Sequence, residues 1–313
     1  MLRAVVADFA ALDGCDVITT RDPRLAGELP VGEVYPVQPG GFDAAFDRCL
    51  AVCDTALVVA PEQGGLLAGL VERVERAGVL HLGSRSDAVR VAGDKLETIA
   101  RLAEAGVPVP PTLEAPTPSA AASLGFPLIL KPRDGAGCVG LRRVGELAGL
   151  AEAWREATEE ADGSPLIAQP YVQGRHASVS LICDGQAARP ISLNGQEIAE
   201  GARFEYRGGV VPLEHPLSAR ALEVATRACG LVPGLGGYVG VDLVLGQDAV
   251  VMEINPRLTT AYTGLRRALG GNLAAVLLRA ARGEVPGSMP LVARAQFTAG
   301  GEVRVEPLHG VAA

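Results

Sequence analysis

Residues 237–257 read GYVGVDLVLGQDAVVMEINPR, and this stretch decides the fold because it predicts a β-hairpin with an acid on each strand. Two apolar runs flank residues 246–249, which hold the Gly and Asp that hairpin turns prefer. A turn centred in the middle of that segment places Asp242 opposite Glu253. Like charges that face each other across antiparallel strands are destabilising, because their Cβ atoms lie only about 5 Å apart.

A divalent cation between the two acids would turn this repulsion into attraction. Side chains alternate along a strand, so Asn255 lies on the same face as Glu253. Carboxylate and amide oxygens are the hard ligands that hold Mg²⁺ together with substrate phosphates. The hairpin therefore predicts a site for Mg²⁺ or Mn²⁺ at Asp242, Glu253 and Asn255. Two solvated acids on an exposed hairpin are the open alternative, and a turn displaced by one residue would undo the pairing.

A second motif precedes the hairpin, at residues 130–144, which read LKPRDGAGCVGLRRV. Its glycines have the G-x-G-x-x-G spacing of a dinucleotide site: Gly135, Gly137 and Gly140. Such a site needs a helix directly after the glycines to receive the pyrophosphate, yet the helical pattern begins only near Glu146. We therefore interpret the segment as a flap between two antiparallel strands, with backbone N–H groups that bind nucleoside triphosphate. A glycine-rich hairpin without a ligand is the alternative.

The composition favours a globular chain that acts on small molecules. The chain has 313 residues, of which 48% are hydrophobic and 20% are charged, so two or three domains are expected. A net charge of −8 and only 4% aromatic residues argue against a nucleic-acid partner.

The expected cell compartment rests on the lack of a membrane-spanning or signal segment in the sequence. No apolar run reaches the roughly 18 residues of a membrane span, and Asp8 interrupts the N-terminal apolar run. We expect no membrane partner and a cytoplasmic location. The 6 cysteines lack C-x-x-C spacing, so they are interpreted as reduced thiols.

The first 92 residues predict an α/β domain with a parallel sheet. The predicted strands are AVVADFA, DVITT and ALVVA at residues 4–10, 16–20 and 56–60, and the predicted helices cover 42–53 and about 65–77. Glu62 follows ALVVA at the carboxyl end of a strand, where open α/β sheets bind ligands. It is a candidate substrate contact, and a simple turn before a helix is the alternative.

Two further units follow, so the predicted domains are 1–92, 93–172 and 173–313. The second begins with a helix capped by Asp94. Lys95 lies in the first turn of this helix, where the dipole disfavours a cation unless a phosphate is near. In the third unit, residues 196–214 are polar and contain glycine, and we expect a substrate-facing loop there.

The order of these motifs resembles that of the ATP-grasp superfamily of carboxylate-amine ligases. A lysine at a helix start, Lys131 before a glycine flap, the strand LIAQPYVQG and the acidic hairpin follow one another over about residues 57–270. The resemblance implies a mixed α/β and α+β fold. Its parts would be an N-terminal parallel α/β domain, a small subdomain with the flap and a C-terminal subdomain with an antiparallel sheet.

The resemblance also implies roles for individual residues. Lys95 and Lys131 would contact the ATP phosphates, and the flap with Gly135 and Gly137 would close over them. The adenine would meet the backbone of a linker formed by Gln169, Pro170, Tyr171 and Val172. The acids of the hairpin and Asn255 would hold two Mg²⁺ ions.

Two positions need separate comment. Arg257 matches an arginine beside the transferring phosphoryl group, which would make it catalytic together with Lys131. An ion pair of Arg257 with Glu253 is the alternative. His176 stands where many family members have a glutamate that binds the ribose hydroxyls, so it is a candidate ribose contact.

Four short stretches narrow the resemblance: APEQGG, HLGSRSDAVRVAGDK, SLNGQ and INPRLTTAYTGLR. They look like the branch that includes tyramine-glutamate ligase of methanofuran biosynthesis. That branch implies glutamate as the acid, with tyramine, tyrosine or another amine as the acceptor, in methanofuran- or methylofuran-type cofactor biosynthesis.

The sequence leaves several alternatives open. These are a dipeptide ligase or carboxylase on the same scaffold, an ATP-binding regulatory protein without catalysis and a nicotinamide dehydrogenase. It also leaves open whether the chain forms a homo-oligomer.

Overall fold

The computed structural model describes residues 1–24, 29, 33–285 and 287–308. Its helices are Leu2–Ala10 (α1), Phe42–Leu50 (α2), Leu66–Arg76 (α3), Ser86–Gly93 (α4), Lys95–Glu104 (α5), Pro118–Ala122 (α6), Leu150–Glu160 (α7), Ser218–Gly230 (α8), Ala261–Ala268 (α9) and Leu273–Ala280 (α10). Its strands are Ile18–Arg21 (β1), Glu33–Pro36 (β2), Thr55–Ala56 (β3), Leu80–His81 (β4), Leu113–Glu114 (β5), Leu128–Pro132 (β6), Arg142–Val144 (β7), Leu166–Pro170 (β8), Arg175–Asp184 (β9), Ala188–Ala199 (β10), Glu205–Val211 (β11), Gly236–Leu245 (β12), Ala249–Asn255 (β13), Ala293–Thr298 (β14) and Val303–Pro307 (β15).

The N-terminal part contains parallel strand pairs, β1 with β2 and β3 with β4, as an α/β unit requires. Two details of the prediction were wrong. Residues 4–10 belong to helix α1 rather than to a strand, because Val5 and Phe9 lie one helical turn apart and pack into the core around α9 and α10. The run ALVVA contributes only Ala56 to a strand.

A seven-stranded antiparallel sheet forms the larger part of the molecule, with the order β13-β12-β9-β10-β11-β14-β15. Along β9 the side chains alternate between two environments. Ala177, Val179 and Leu181 enter the same core as α8, whereas Ser178 and Ser180 are buried polar residues on the opposite face. The sheet thus has one apolar face under α8. Its opposite face is polar around Ser178 and Ser180, where a site is available, and apolar where Ile182 packs into the core with α9 and α10.

The acidic hairpin lies at the edge of this sheet, in strands β12 and β13. Asp242 pairs directly with Glu253, which confirms the predicted pairing. The turn is centred on Gln247, because Leu245 pairs with Ala249, whereas the predicted centre lies between Gln247 and Asp248. A bulge next to Asp242 adds one residue to β13 and restores the predicted register.

A four-stranded antiparallel sheet, in the order β5-β8-β6-β7, forms a smaller layer covered by α7. The glycine segment connects β6 to β7, and these strands are antiparallel, as predicted for a flap. Helix α5 begins where it was predicted to begin, because the Asp94 carboxylate accepts hydrogen bonds from the N–H groups of Leu96 and Glu97.

The prediction of a loop at residues 196–214 was wrong, because most of this segment forms β10 and β11. Glycines make the pairing possible. A Cβ atom at Gly209 would lie 2.2 Å from the carbonyl oxygen of Gly195, so only glycine allows this approach. The polar, glycine-containing composition that indicated a loop belongs to closely packed strands.

Candidate active site

A cavity of about 310 Å³ lies between the four-stranded sheet and the polar part of the seven-stranded sheet, around Ser178. Nearly every residue selected from the sequence lines it: Lys95, Lys131, Gly135, Gly137, Gln169, Tyr171, Val172, His176, Asp242, Glu253, Asn255 and Arg257. Pro170 ends β8 beside them and does not line the cavity. Residues from five separate stretches of the sequence thus line one cavity.

Amide groups hold one of the two acids of the hairpin, Asp242. Asn255 Nδ2 lies 3.2 Å from Asp242 Oδ2, and Gln196 Nε2 lies 2.9 Å from Asp242 Oδ1, so both amides donate to the carboxylate. Burial, together with the charge of Glu253, raises the pKa of Asp242 above its ordinary value. The repulsion expected from the sequence is therefore present in the fold.

Two buried lysines face the same acids. Lys95 Nζ lies 3.6 Å from Glu253 Oε2 and donates a 2.8 Å hydrogen bond to the carbonyl oxygen of Gly135 in the flap. Burial acts to raise the pKa of Glu253. The charges of Lys95 and Lys131, together with a hydrogen bond to Asp242 and the charge of Arg257, keep this pKa below its ordinary value. Burial lowers the pKa of Lys131 to about 8, and the charge of Lys95 contributes to the lowering.

The donor set fits a hard divalent cation bound together with an anionic ligand. Within the described ranges, no group of three or more His, Cys, Asp or Glu side chains could hold a metal ion. The two facing carboxylates and the Asn255 amide supply oxygen atoms from a single hairpin. A cation at this position would keep coordination places for phosphate oxygens, as Mg²⁺ does in nucleotide sites.

Arg257 pairs with Glu62 rather than with Glu253, the partner that the sequence left open. Its Nε atom lies 2.9 Å from both carboxylate oxygens of Glu62, and Nη1 donates to the carbonyl oxygen of Leu258 at 3.1 Å. Burial raises the pKa of Glu62, while the charge of Arg257 opposes the increase. Glu62, the candidate substrate contact, thus lies behind the arginine and not in the cavity wall.

At the opposite end of the cavity, His176 contacts a residue that the sequence did not indicate. His176 Nε2 lies 2.7 Å from Glu200 Oε1, and the hydroxyl of Tyr171 donates to Glu200 Oε2 at 2.6 Å. The Arg143 guanidinium lies 3.9 Å from the centre of the Tyr171 ring. Glu200 was not identified as a site residue from the sequence, because its segment was interpreted as a loop and no strand register related it to His176.

The flap residue Cys138 lines the cavity with a positive φ of 65°. Burial, with the charges of Glu253 and Asp242, raises the pKa of its thiol to about 12. The thiol is therefore protonated at neutral pH and is a poor nucleophile.

The cavity, the flap and the acidic hairpin can be compared with known proteins. A family model described as the ATP-grasp domain matches residues 92–261, and a pre ATP-grasp 3 domain matches residues 15–89. The chain belongs to the ATP-grasp family. A tyramine–L-glutamate ligase from Methanocaldococcus fervens is 32% identical over 231 residues, which cover 74% of this chain and 67% of that protein.

One further relative and one solved structure extend the comparison of this ATP-grasp chain. A D-alanine–D-alanine ligase from Stutzerimonas stutzeri is 32% identical over 248 residues, covering 74% of this chain and 77% of that protein. The crystal structure of a biotin carboxylase–β-γ-ATP complex from Campylobacter jejuni superposes with a TM-score of 0.79 at 21% identity, over 94% of this chain and 72% of that one. The structural likeness shows the fold.

These findings place the ATP-grasp chain with ATP-dependent ligases that form carbon–nitrogen bonds, in the carboxylate-amine class. Such ligases use ATP and a divalent metal ion. Among the described residues, no helix combines the length and the apolar character needed to span a membrane.

Proposed function

We propose that this chain activates a carboxylate with ATP as an acyl phosphate and joins it to an amine. The observation that carries the proposal is the pair of facing acids, Asp242 and Glu253, in one cavity with the buried cations Lys95 and Lys131. A nucleoside triphosphate with its metal ion matches this set of charges. Phosphates satisfy the lysines, and the cation satisfies the acids.

Each part of the cavity has a role in binding the nucleotide. Lys95 and Lys131 hold phosphate oxygens, and the flap closes over them with its backbone N–H groups. The linker from Gln169 to Val172 contacts the adenine. Asp242, Glu253 and Asn255 hold Mg²⁺, which when bound neutralises part of the phosphate charge.

The ribose end of the nucleotide is assigned to His176. Its ring lies at the cavity wall and is held by Glu200, so one ring nitrogen is already engaged. The pair presents polar atoms where ribose hydroxyls can bind.

The proposed reaction has two steps. A carboxylate oxygen of the substrate attacks the γ-phosphorus of ATP, the bond to the β-phosphate oxygen breaks and ADP leaves. The nitrogen of the amine then attacks the acyl carbon and loses a proton, while inorganic phosphate leaves and an amide remains. The guanidinium of Arg257 stabilises the charge on the transferring phosphoryl group.

Water must be kept from the acyl phosphate, which hydrolyses readily. The flap between β6 and β7 covers one side of the cavity, and Lys95 already binds the flap through the carbonyl oxygen of Gly135. We propose that closure of the flap on ATP excludes water and commits the substrate to reaction.

We propose L-glutamate as the acid and tyramine as the amine, in the cytoplasmic synthesis of a methanofuran-type cofactor. The support is the similarity to the tyramine–L-glutamate ligase from Methanocaldococcus fervens. Tyrosine and glutamate itself are further acceptors to be tested.

A dipeptide ligase is the second candidate, because the D-alanine–D-alanine ligase from Stutzerimonas stutzeri matches this chain at the same identity. A screen of ADP release and product mass separates the two candidates. ATP and Mg²⁺ are supplied with L-glutamate plus tyramine, tyrosine or glutamate, and in parallel with D-alanine or pairs of L-amino acids. Release of ADP only with D-alanine or with pairs of L-amino acids that lack glutamate would contradict the tyramine assignment. No release with any acid and amine would contradict the ligase proposal.

A further inference from the structure

The partner of Arg257 comes from a distant part of the chain. Glu62 lies 195 residues earlier, in the turn that precedes helix α3, and it is the only residue of that turn with an acidic side chain. Its side chain is 5% exposed and that of Arg257 is 15% exposed. The exposed part of Arg257 faces the cavity, because Arg257 lines the cavity and Glu62 does not.

The contacts fix the orientation of the guanidinium group. The N–H of Nε is directed between the two carboxylate oxygens of Glu62, at 2.9 Å from each, and Nη1 is bound to the carbonyl oxygen of Leu258. No described residue accepts a hydrogen bond from Nη2. Two of the three guanidinium nitrogens are thus held, and Nη2 is available to a ligand in the cavity.

The surroundings of Glu62 are built to hold it in this place. A Cβ atom at Gly93 would lie 3.3 Å from Glu62 Cβ, so the absence of a side chain there makes room for the glutamate. The same turn contacts the flap, because the N–H of Gly64 donates to Asp134 Oδ2 at 2.9 Å. The turn therefore joins the arginine at one end and the base of the flap at the other.

A buried ion pair is weak support for stability, because removing two charges from water is costly. The pair between Asp8 and Arg266 is similar at Nε, which lies 2.8 and 2.9 Å from the two carboxylate oxygens, but here Nη2 also donates to Asp8. Neither residue lines the cavity. This second pair fastens α1 to α9 and serves as a matched control.

We infer that Glu62 is a positioning residue: it orients Arg257 so that the free Nη2 group of the guanidinium meets the transferring phosphoryl group. Glu62 acts through the arginine and does not touch the substrate. The inference rests on the proposed function, which assigns Arg257 to the phosphoryl group.

The test compares Glu62→Gln, Arg257→Lys, the double variant and the control Asp8→Asn. The rate of ADP release is measured with ATP, Mg²⁺, L-glutamate and tyramine, and ATP affinity is measured by calorimetry. We expect Glu62→Gln to lower kcat at least tenfold, with the Kd for ATP and the KM for glutamate within twofold of the wild type. Asp8→Asn should lower the melting temperature and leave kcat unchanged.

The double variant shows whether Glu62 acts through Arg257. If it does, Glu62→Gln causes no further loss of kcat once Arg257 is lysine. The inference would be overturned if Glu62→Gln had a kcat within twofold of the wild type while Arg257→Lys had a much lower kcat. That result would leave the proposed function intact. Losses that multiply in the double variant would also overturn it. An Arg257→Lys variant with the wild-type kcat would instead remove the role proposed for the arginine.

Discussion

At the scale of single residues, the buried lysines carry a measurable consequence. Burial lowers the pKa of Lys131 to about 8, so the ammonium form predominates below that pH and is lost as the pH rises through it. ATP phosphates interact with the charged form. We expect ATP affinity to fall about tenfold between pH 8.5 and 9.5, because each unit of pH above the pKa costs about 1.4 kcal/mol.

Calorimetric titration of ATP between pH 7 and 9.5 checks this expectation. Lys131→Arg is the matched control, because an arginine keeps its charge throughout this range. Its ATP affinity should depend little on pH, even if it is lower overall. Parallel pH profiles for the wild type and Lys131→Arg would show that Lys131 does not contact the phosphates.

The acid pair gives a second prediction at this scale. Asp242→Asn should lower the Mg²⁺-dependent rate of ADP release at least 100-fold, because the variant keeps the shape of the side chain but loses a charge that holds the cation. Glu197→Gln serves as the control, since Glu197 is exposed in the same sheet and does not line the cavity. A rate for Asp242→Asn near that of the control would contradict the metal assignment.

At the scale of elements, the flap depends on glycines that other residues cannot replace. Gly140 has a φ of +68°, and a Cβ atom there would lie 2.8 Å from Pro132 Cγ. We expect Gly140→Ala to weaken ATP binding about tenfold, because a backbone strain of about 1–2 kcal/mol displaces the flap. Gly145 has no atom within 4 Å of the corresponding position, so Gly145→Ala should bind ATP as the wild type does. Equal ATP affinities of the two variants in calorimetry would show that the flap tolerates the displacement.

The elements also show why part of the fold could be predicted from the sequence. The pairing of Asp242 with Glu253, the cap at Asp94 and the strands beside the flap depend on neighbours in the sequence. The failures have tertiary causes. Helix α1 was predicted as a strand because its apolar residues suit both states, and packing against α10 decides between them. Strands β10 and β11 were missed because their glycines, typical of loops, allow close pairing here.

At the scale of the whole molecule, contacts between distant segments assemble the site. Neither the pairing of Glu62 with Arg257 nor that of Glu200 with His176 could be predicted, because no periodicity or local motif relates these positions. Residues in recognisable local motifs, such as Lys95 and Lys131, could be identified as site residues from the sequence, and they line the cavity. We retain the division at residues 92 and 172 as a proposal.

An ion pair that is largely buried helps to attach the N-terminal helix to α9, and we expect its removal to lower stability. Asp8 binds Arg266 through both carboxylate oxygens and also accepts a hydrogen bond from the hydroxyl of Tyr262. Asp8→Asn should lower the free energy of unfolding by about 2 kcal/mol, the usual range for hydrogen bonds to a charged group. Urea unfolding measures it, and a change below about 0.5 kcal/mol would show that packing alone holds α1.

The central claim is that the carboxylate is activated by phosphoryl transfer, and isotope transfer tests it most directly. L-Glutamate labelled with ¹⁸O in its carboxylates is incubated with ATP, Mg²⁺ and tyramine, and the inorganic phosphate is analysed by mass spectrometry. An acyl phosphate passes one labelled oxygen to phosphate for each amide formed. Amide formation with unlabelled phosphate would contradict the account.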